Sequence, residues 1–147
     1  MIKHIKTIGY ASLGYDSALI IRELKNELKD GVLLVDVRQT PYGLVNKQDL
    51  KKELNFQYYS AMGFGNPNYQ DVIKFKQQVD NLLKYAGERY HTIILMCAEA
   101  DVNRCHRKEI AEKLSPILKA DVEHLRQKSY SNEVMKDRKI TDFTGDV

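Results

Sequence analysis

Two uninterrupted apolar runs, Val32-Leu33-Leu34-Val35 and Ile93-Ile94-Leu95-Met96, constrain this chain more than any other feature. A strand that alternates polar and apolar residues buries one face. A run with no polar member must be covered on both faces, as a central strand of a parallel sheet is when helices pack above and below it. The segments between and around these runs have helical spacing. Ile20, Ile21, Leu24 and Leu28 recur on one side after a cap at Asp16 or Ser17, and Asp30-Gly31 stops the run. Val72, Phe75, Val79, Leu82 and Ala86 follow at steps of three and four before Gly87. Asn46 caps a short helix through about Leu54, and Asn103 is placed to cap one carrying Ile110, Ala111 and Leu114 toward Pro116. Further strands are expected at residues 4–9, Phe56–Tyr59 and Val122–Leu125. The order βαβαβαβαβ predicts a single α/β domain over residues 1–126, a mostly parallel five-stranded sheet with helices on both faces. Residues 127–147 are polar and weakly patterned, an extension packed on or trailing that domain.

Composition narrows the class. Of the 147 residues, 43% are hydrophobic and 29% charged, with eight glycines and three prolines, which excludes a disordered or low-complexity chain. A net charge of +3 is too small to advertise nucleic-acid or membrane binding, although nucleic acid stays open as a partner. No apolar run reaches the ~18 residues of a membrane span. Two cysteines cannot frame a disulfide-rich secreted fold, so a reducing, cytoplasmic setting is expected. No dinucleotide fingerprint or phosphate-binding Walker loop is present, and the sequence names no cofactor.

In a parallel sheet the loops leaving each strand share the carboxyl edge, where open α/β domains hold their ligands. Here those loops carry Gly9, Tyr10 and Ser12, then Asp36 and Arg38, then Gly63 and Gly65, then Cys97 and Glu99. Four distant segments therefore converge. Asp36 and Arg38, two apart at a strand end, share a face and pair either with each other or with a ligand. Arg38, Arg104 and Arg107 form a candidate anion clamp, since planar guanidinium groups grip carboxylate and phosphate.

The densest chemistry lies in Cys97-Ala98-Glu99-Ala100-Asp101-Val102-Asn103-Arg104-Cys105-His106-Arg107. Cys97 ends a buried strand, while Cys105, His106 and Arg107 are expected in a first helical turn, which favours anions and thiolates. Cys97, Glu99 and His106 are the candidate catalytic residues: a thiol on a rigid platform, a carboxylate for general acid or base work, and an imidazole. Gly9, Tyr10, Ser12, Asp36, Arg38, Arg104, Cys105 and Arg107 are the candidate ligand-binding residues. The plainer reading makes Cys97 a small buried hydrophobe and Cys105 a packing residue. A phosphatase-like cradle is disfavoured because Glu99 and Asp101 bring negative charge to it. A metal site would combine Cys97, Cys105 and His106 with His124 or Glu99, but the spacing matches no standard zinc module and no metal is assigned. A Cys97–Cys105 disulfide across the turn would be regulatory in a reducing cell.

Thr7-Ile8-Gly9-Tyr10, Leu34-Val35-Asp36-Val37-Arg38 followed by Pro41, and Leu95-Met96-Cys97-Ala98-Glu99 with Cys105-His106-Arg107 and Val122-Glu123-His124 resemble the domain of unknown function family 488 over about residues 5–126. The resemblance implies a single α/β domain and no established reaction. The sequence departs from that pattern where a Ser-Arg pair is replaced by Tyr42-Gly43-Leu44-Val45, and where Leu-Gly-Gly becomes Met62-Gly63-Phe64-Gly65. The binding reading that follows is a small anionic or nucleotide-like ligand at the carboxyl edge. A metal- or redox-sensing module is its rival.

Overall fold

The computed structural model describes residues 1–126. The segment 127–147, expected as an extension, lies outside the described residues. The strands are β1 (His4–Gly9), β2 (Val32–Asp36), β3 (Tyr58–Ser60), β4 (Thr92–Cys97) and β5 (Asp121–His124), and the helices are α1 (Ser17–Glu27), α2 (Lys47–Leu54), α3 (Val72–Ala86) and α4 (Arg107–Leu118). All pairings are parallel, in the order β3-β2-β4-β1-β5. The two apolar runs lie side by side in the interior, and every residue of β2 and β4 is buried.

Both faces are covered. Ile20 and Leu24 of α1 and Leu50 and Leu54 of α2 pack with Leu34, Ile94 and Met96 on one face. Phe75, Val79 and Leu82 of α3 and Ile110, Ala111 and Leu114 of α4 pack with Leu33, Val35, Ile93 and Leu95 on the other. The chain first moves outward from β1 through β2 to β3, then returns to insert β4 between β2 and β1. The loops after β1 and β4 therefore leave neighbouring strands toward opposite faces, which opens a crevice between them at the carboxyl edge.

The caps at Asp16 and Asn46 are as expected: their side chains accept from the backbone N–H of Leu19 and Asp49, each at 2.9 Å. Asn46→Ala should cost about 1 kcal/mol in urea unfolding, because the Asp49 N–H then has no side-chain acceptor.

Several boundaries differ from the sequence reading. The third strand begins at Tyr58 rather than Phe56. Asn55 sits at φ 53°, a 3-10 turn follows, and the Gln57 amide donates to the carbonyls of Lys29 and Val32 at 3.0 Å, which holds the chain off the ladder. Val72 is 82% exposed, although it shares the spacing of the buried α3 residues. It is the first residue of α3, next to the capping Asp71, and it precedes the packed stretch that begins at Phe75. Asn103 caps no helix: Asp101 accepts from its N–H and closes a 3-10 turn over Val102–Arg104, so α4 starts only at Arg107. Cys105 and His106 accordingly precede the helix.

Candidate functional site

Sheet register sets the site. Gly9 pairs with Cys97, and Asp36 lies between Met96 and Ser60, so the ends of β1, β2, β3 and β4 are level. The loops beyond are tied together by Ala11 N–H to the Ala98 carbonyl at 3.0 Å and Val37 N–H to the Met96 carbonyl at 3.1 Å. Between them lies a cleft of about 300 Å³. From the loop after β1 it takes Tyr10, and from that after β2 it takes Arg38, Gln39, Thr40 and Tyr42. Asn66 comes from the loop after β3, Cys97 from the last position of β4, and Glu99, Arg104, Cys105 and His106 from the segment beyond it.

Gly65 is required where two of these loops meet. A Cβ there would lie 2.5 Å from the Gln39 Cα, so only a glycine lets the loop after β3 press against the loop after β2. Ser12 stands outside the cleft, donates to the Gly9 carbonyl at 2.7 Å and faces a neighbouring depression.

Asp36 and Arg38 form a buried bidentate pair. Arg38 Nε and Nη2 donate to the Asp36 carboxylate at 2.8 and 2.7 Å, and Nη1 donates to the Val45 carbonyl at 2.6 Å. Tyr58 donates its phenol to the second Asp36 oxygen at 2.6 Å. Burial opposes the Arg38 charge, but the hydrogen bond and charge of Asp36 outweigh it and hold the guanidinium above its ordinary pKa. The Tyr58 phenol is pushed up, by burial first and by Asp36 next. The pair therefore shapes the cleft wall: Arg38 lies 5.4 Å from the Tyr10 ring centroid and fixes the loop carrying Tyr42.

Arg107 is also turned inward, with no exposed surface. Its Nη1 donates to Cys97 Sγ at 3.0 Å and to the Glu99 carbonyl at 2.6 Å, and Nη2 donates to the Ala100 carbonyl at 3.2 Å. Among the described residues no carboxylate lies within ion-pair distance of it, and its Nε has no partner. Burial pulls its pKa down to about 10, against the charges of Asp101 and Glu99, which raise it. The three arginines expected to act together are placed differently in the site. Arg38 and Arg107 are engaged by protein groups because a buried guanidinium must find acceptors. Arg104 alone of the three is exposed in the cleft.

Cys97 and Cys105 are joined by a disulfide, with Cα atoms 7.2 Å apart. Neither sulfur is a thiol in this form, so any nucleophilic role of Cys97 belongs to the reduced protein. Among the described residues no group of three or more His, Cys, Asp or Glu side chains is gathered to hold a metal. His124, weighed with Glu99 as a fourth ligand, has its Nδ1 2.7 Å from the Thr7 hydroxyl. His106 faces the cleft with its ring stacked on Tyr69, centroids 5.4 Å apart. Its Nε2 lies 3.0 Å from the Val37 carbonyl. A carbonyl only accepts, so Nε2 carries the proton and Nδ1 is left as the acceptor in the neutral ring. Glu99 is exposed on the rim.

Sequence reasoning assigns no site role to Gln39, Thr40, Tyr42 or Asn66. It places their loops at the carboxyl edge through Asp36, Arg38, Gly63 and Gly65, but uncharged loop residues carry no signal that tells lining from spacer.

These features define a doubly wound α/β domain with a carboxyl-edge cleft and a cysteine pair in its wall. Residues 66–114 match the family model described as Domain of unknown function DUF488, bearing out the resemblance to that family. The matched segment carries Asn66, Cys97, Glu99, Arg104, Cys105 and His106, while the motifs around Thr7–Tyr10 and Leu34–Arg38 lie outside it. No curated protein and no solved structure matches the chain. No helix among the described residues is long and apolar enough to cross a membrane.

Proposed function

We propose that the carboxyl-edge cleft binds a small anionic ligand and, in the reduced protein, presents it to Cys97. The observation that carries this reading is the meeting of Tyr10, Arg38, Cys97, Glu99, Arg104 and His106 around one cleft of about 300 Å³, the size of a small-molecule site. Arg104 supplies the cation for the ligand, because its guanidinium has no ion-pair partner among the described residues. Tyr10 and the exposed Tyr42 give aromatic walls that suit a nucleotide-like ligand. Cys97 is the nucleophile, Glu99 the general acid or base, and His106 Nδ1 a second proton acceptor. A redox-sensing module is the second reading, favoured by the bond between the two cysteines.

The test is a thermal-shift series on reduced protein with inorganic phosphate, nucleoside monophosphates and dicarboxylates. A ligand present at 100 times its dissociation constant stabilises by about 2.7 kcal/mol, a rise in midpoint of roughly 5 °C or more for a domain of this size. Arg104→Ala should abolish that rise without lowering the unliganded midpoint. Equal rises in the two proteins, or none in either, would sink the proposal.

A further inference from the structure

We infer that Cys97 and Cys105 form a thiol–disulfide exchange centre whose co-substrate is a dithiol, with Cys105 as the entry sulfur and Arg107 as the positioning residue for the Cys97 thiolate. The inference goes beyond anion binding, since exchange needs no ligand in the cleft.

Three observations carry it. Arg107 donates to both sulfurs: its guanidinium reaches Cys97 Sγ at 3.0 Å, and its backbone N–H reaches Cys105 Sγ at 3.5 Å. Its remaining acceptors are the neutral carbonyls of Glu99 and Ala100. A fully buried guanidinium therefore stands against a sulfur with no carboxylate in ion-pair reach among the described residues. A buried cation favours the anionic form of its neighbour, and a thiolate at Cys97 supplies the counter-charge that the disulfide does not. Finally, the two sulfurs differ in access: Cys97 is 2% exposed, whereas Cys105 is half-buried in the loop ahead of α4.

That difference sets the order of bond changes. A thiolate of the incoming dithiol attacks Cys105 Sγ. The Cys97–Cys105 bond breaks, and its electron pair leaves on Cys97 Sγ as a thiolate beside Arg107. The second thiol of the dithiol, deprotonated, then attacks the sulfur of the first and expels Cys105 as a thiolate, which takes up a proton. The dithiol becomes a disulfide and the protein gains two electrons. In reverse, a mixed disulfide forms at Cys105 and Cys97 resolves it. The groups that bear on Cys97 are Arg107 in its favour, Glu99 and Asp101, which help keep Arg107 charged but repel a thiolate directly, and Arg38, Arg104 and His106, which line the same cleft.

The full chain is tested in three arms. Wild-type protein is equilibrated in mixtures of reduced and oxidised dithiothreitol, quenched with acid, and alkylated. It should interconvert reversibly between dithiol and disulfide, and a chain that stays dithiol throughout overturns the inference. Next, Cys97→Ser protein treated with 2-hydroxyethyl disulfide should accumulate the mixed disulfide at Cys105 at least tenfold faster than Cys105→Ser protein does at Cys97. Equal or reversed rates overturn the assigned order.

In the third arm, the pH midpoint of Cys97 alkylation in Cys105→Ser protein should fall at least one unit below the ~8.5 of a free thiol. A midpoint at or above ~8.5 refutes the role of Arg107. Arg107→Lys should keep the low midpoint and Arg107→Met should raise it by about a unit or more, while the Cys105→Ser midpoint decides alone if the methionine variant does not fold. The two proposals fail separately. A phosphate-induced thermal shift retained in the Cys97→Ser, Cys105→Ser double variant keeps the anion reading whatever the exchange arms give. Normal exchange in an Arg104→Ala protein that has lost the shift keeps the exchange centre.

Discussion

Asp36→Ala should destabilise the protein by about 3–5 kcal/mol, because it removes one partner of a buried ion pair and leaves the other charged. Asp36 has no exposed surface and takes hydrogen bonds from Arg38 Nε, Arg38 Nη2, the Arg38 backbone N–H and the Tyr58 hydroxyl. Alanine strips the charge partner from a guanidinium that is itself 7% exposed, and it orphans a buried phenol as well. With a urea slope of roughly 2 kcal/mol per molar, the unfolding midpoint should drop by about 2 M with the slope unchanged. The double variant Asp36→Leu, Arg38→Met should lose less than the sum of its single changes, since removing both charges leaves neither uncompensated. A loss below ~1 kcal/mol for Asp36→Ala would mean that water reaches Arg38 and that the pair is not what holds the loop. The same variant should weaken the cleft, because Arg38 also fixes the Tyr42 and Val45 carbonyls and lies against the Tyr10 ring.

That pair illustrates what the sequence could disclose. Asp36 and Arg38 were recognisable as partners because a two-residue step in a strand keeps side chains on one face. The fate of Arg107 was not, because its acceptors are carbonyls of Glu99 and Ala100 and the sulfur of Cys97, and a sequence lists a charge without saying whether backbone atoms will surround it. The apolar runs marked β2 and β4 as central, since a strand buried on both faces has no polar members to misplace. Their neighbours were hidden: the order β3-β2-β4-β1-β5 depends on which way each crossover travels. Convergence at the carboxyl edge was nevertheless legible, because in a parallel sheet that edge is shared whatever the order. Local competition blurred the boundaries, as where the Gln57 amide binds the carbonyls near β2 in place of a strand ladder.

Gly9→Ala should be the most disruptive single-methyl change at the site. The reason is space rather than conformation: Gly9 sits at φ −104° and ψ 121°, which any residue adopts. A Cβ there would lie 1.7 Å from the Glu99 carbonyl oxygen, 2.5 Å from its carbon and 3.0 Å from the Ala100 Cα. All three obstacles are backbone, so no rotamer change relieves the clash, and the segment after β4 must retreat by something on the order of 1.5 Å to regain van der Waals contact. Gly9 is paired with Cys97 in the ladder, and the Glu99 carbonyl is the acceptor of Arg107 Nη1, so the displacement falls on the β4 end and on the guanidinium beside Cys97. Overpacking against backbone should cost about 3 kcal/mol or more in urea unfolding. At temperatures where the variant remains folded, its phosphate-induced thermal shift should be lost. The alkylation midpoint of Cys97, measured with Cys105→Ser in both backgrounds, should rise toward that of a free thiol. A Gly9→Ala protein with wild-type stability and an unchanged Cys97 midpoint would show that the loop after β4 yields freely, and a loop that yields freely could not hold Arg107 against the sulfur.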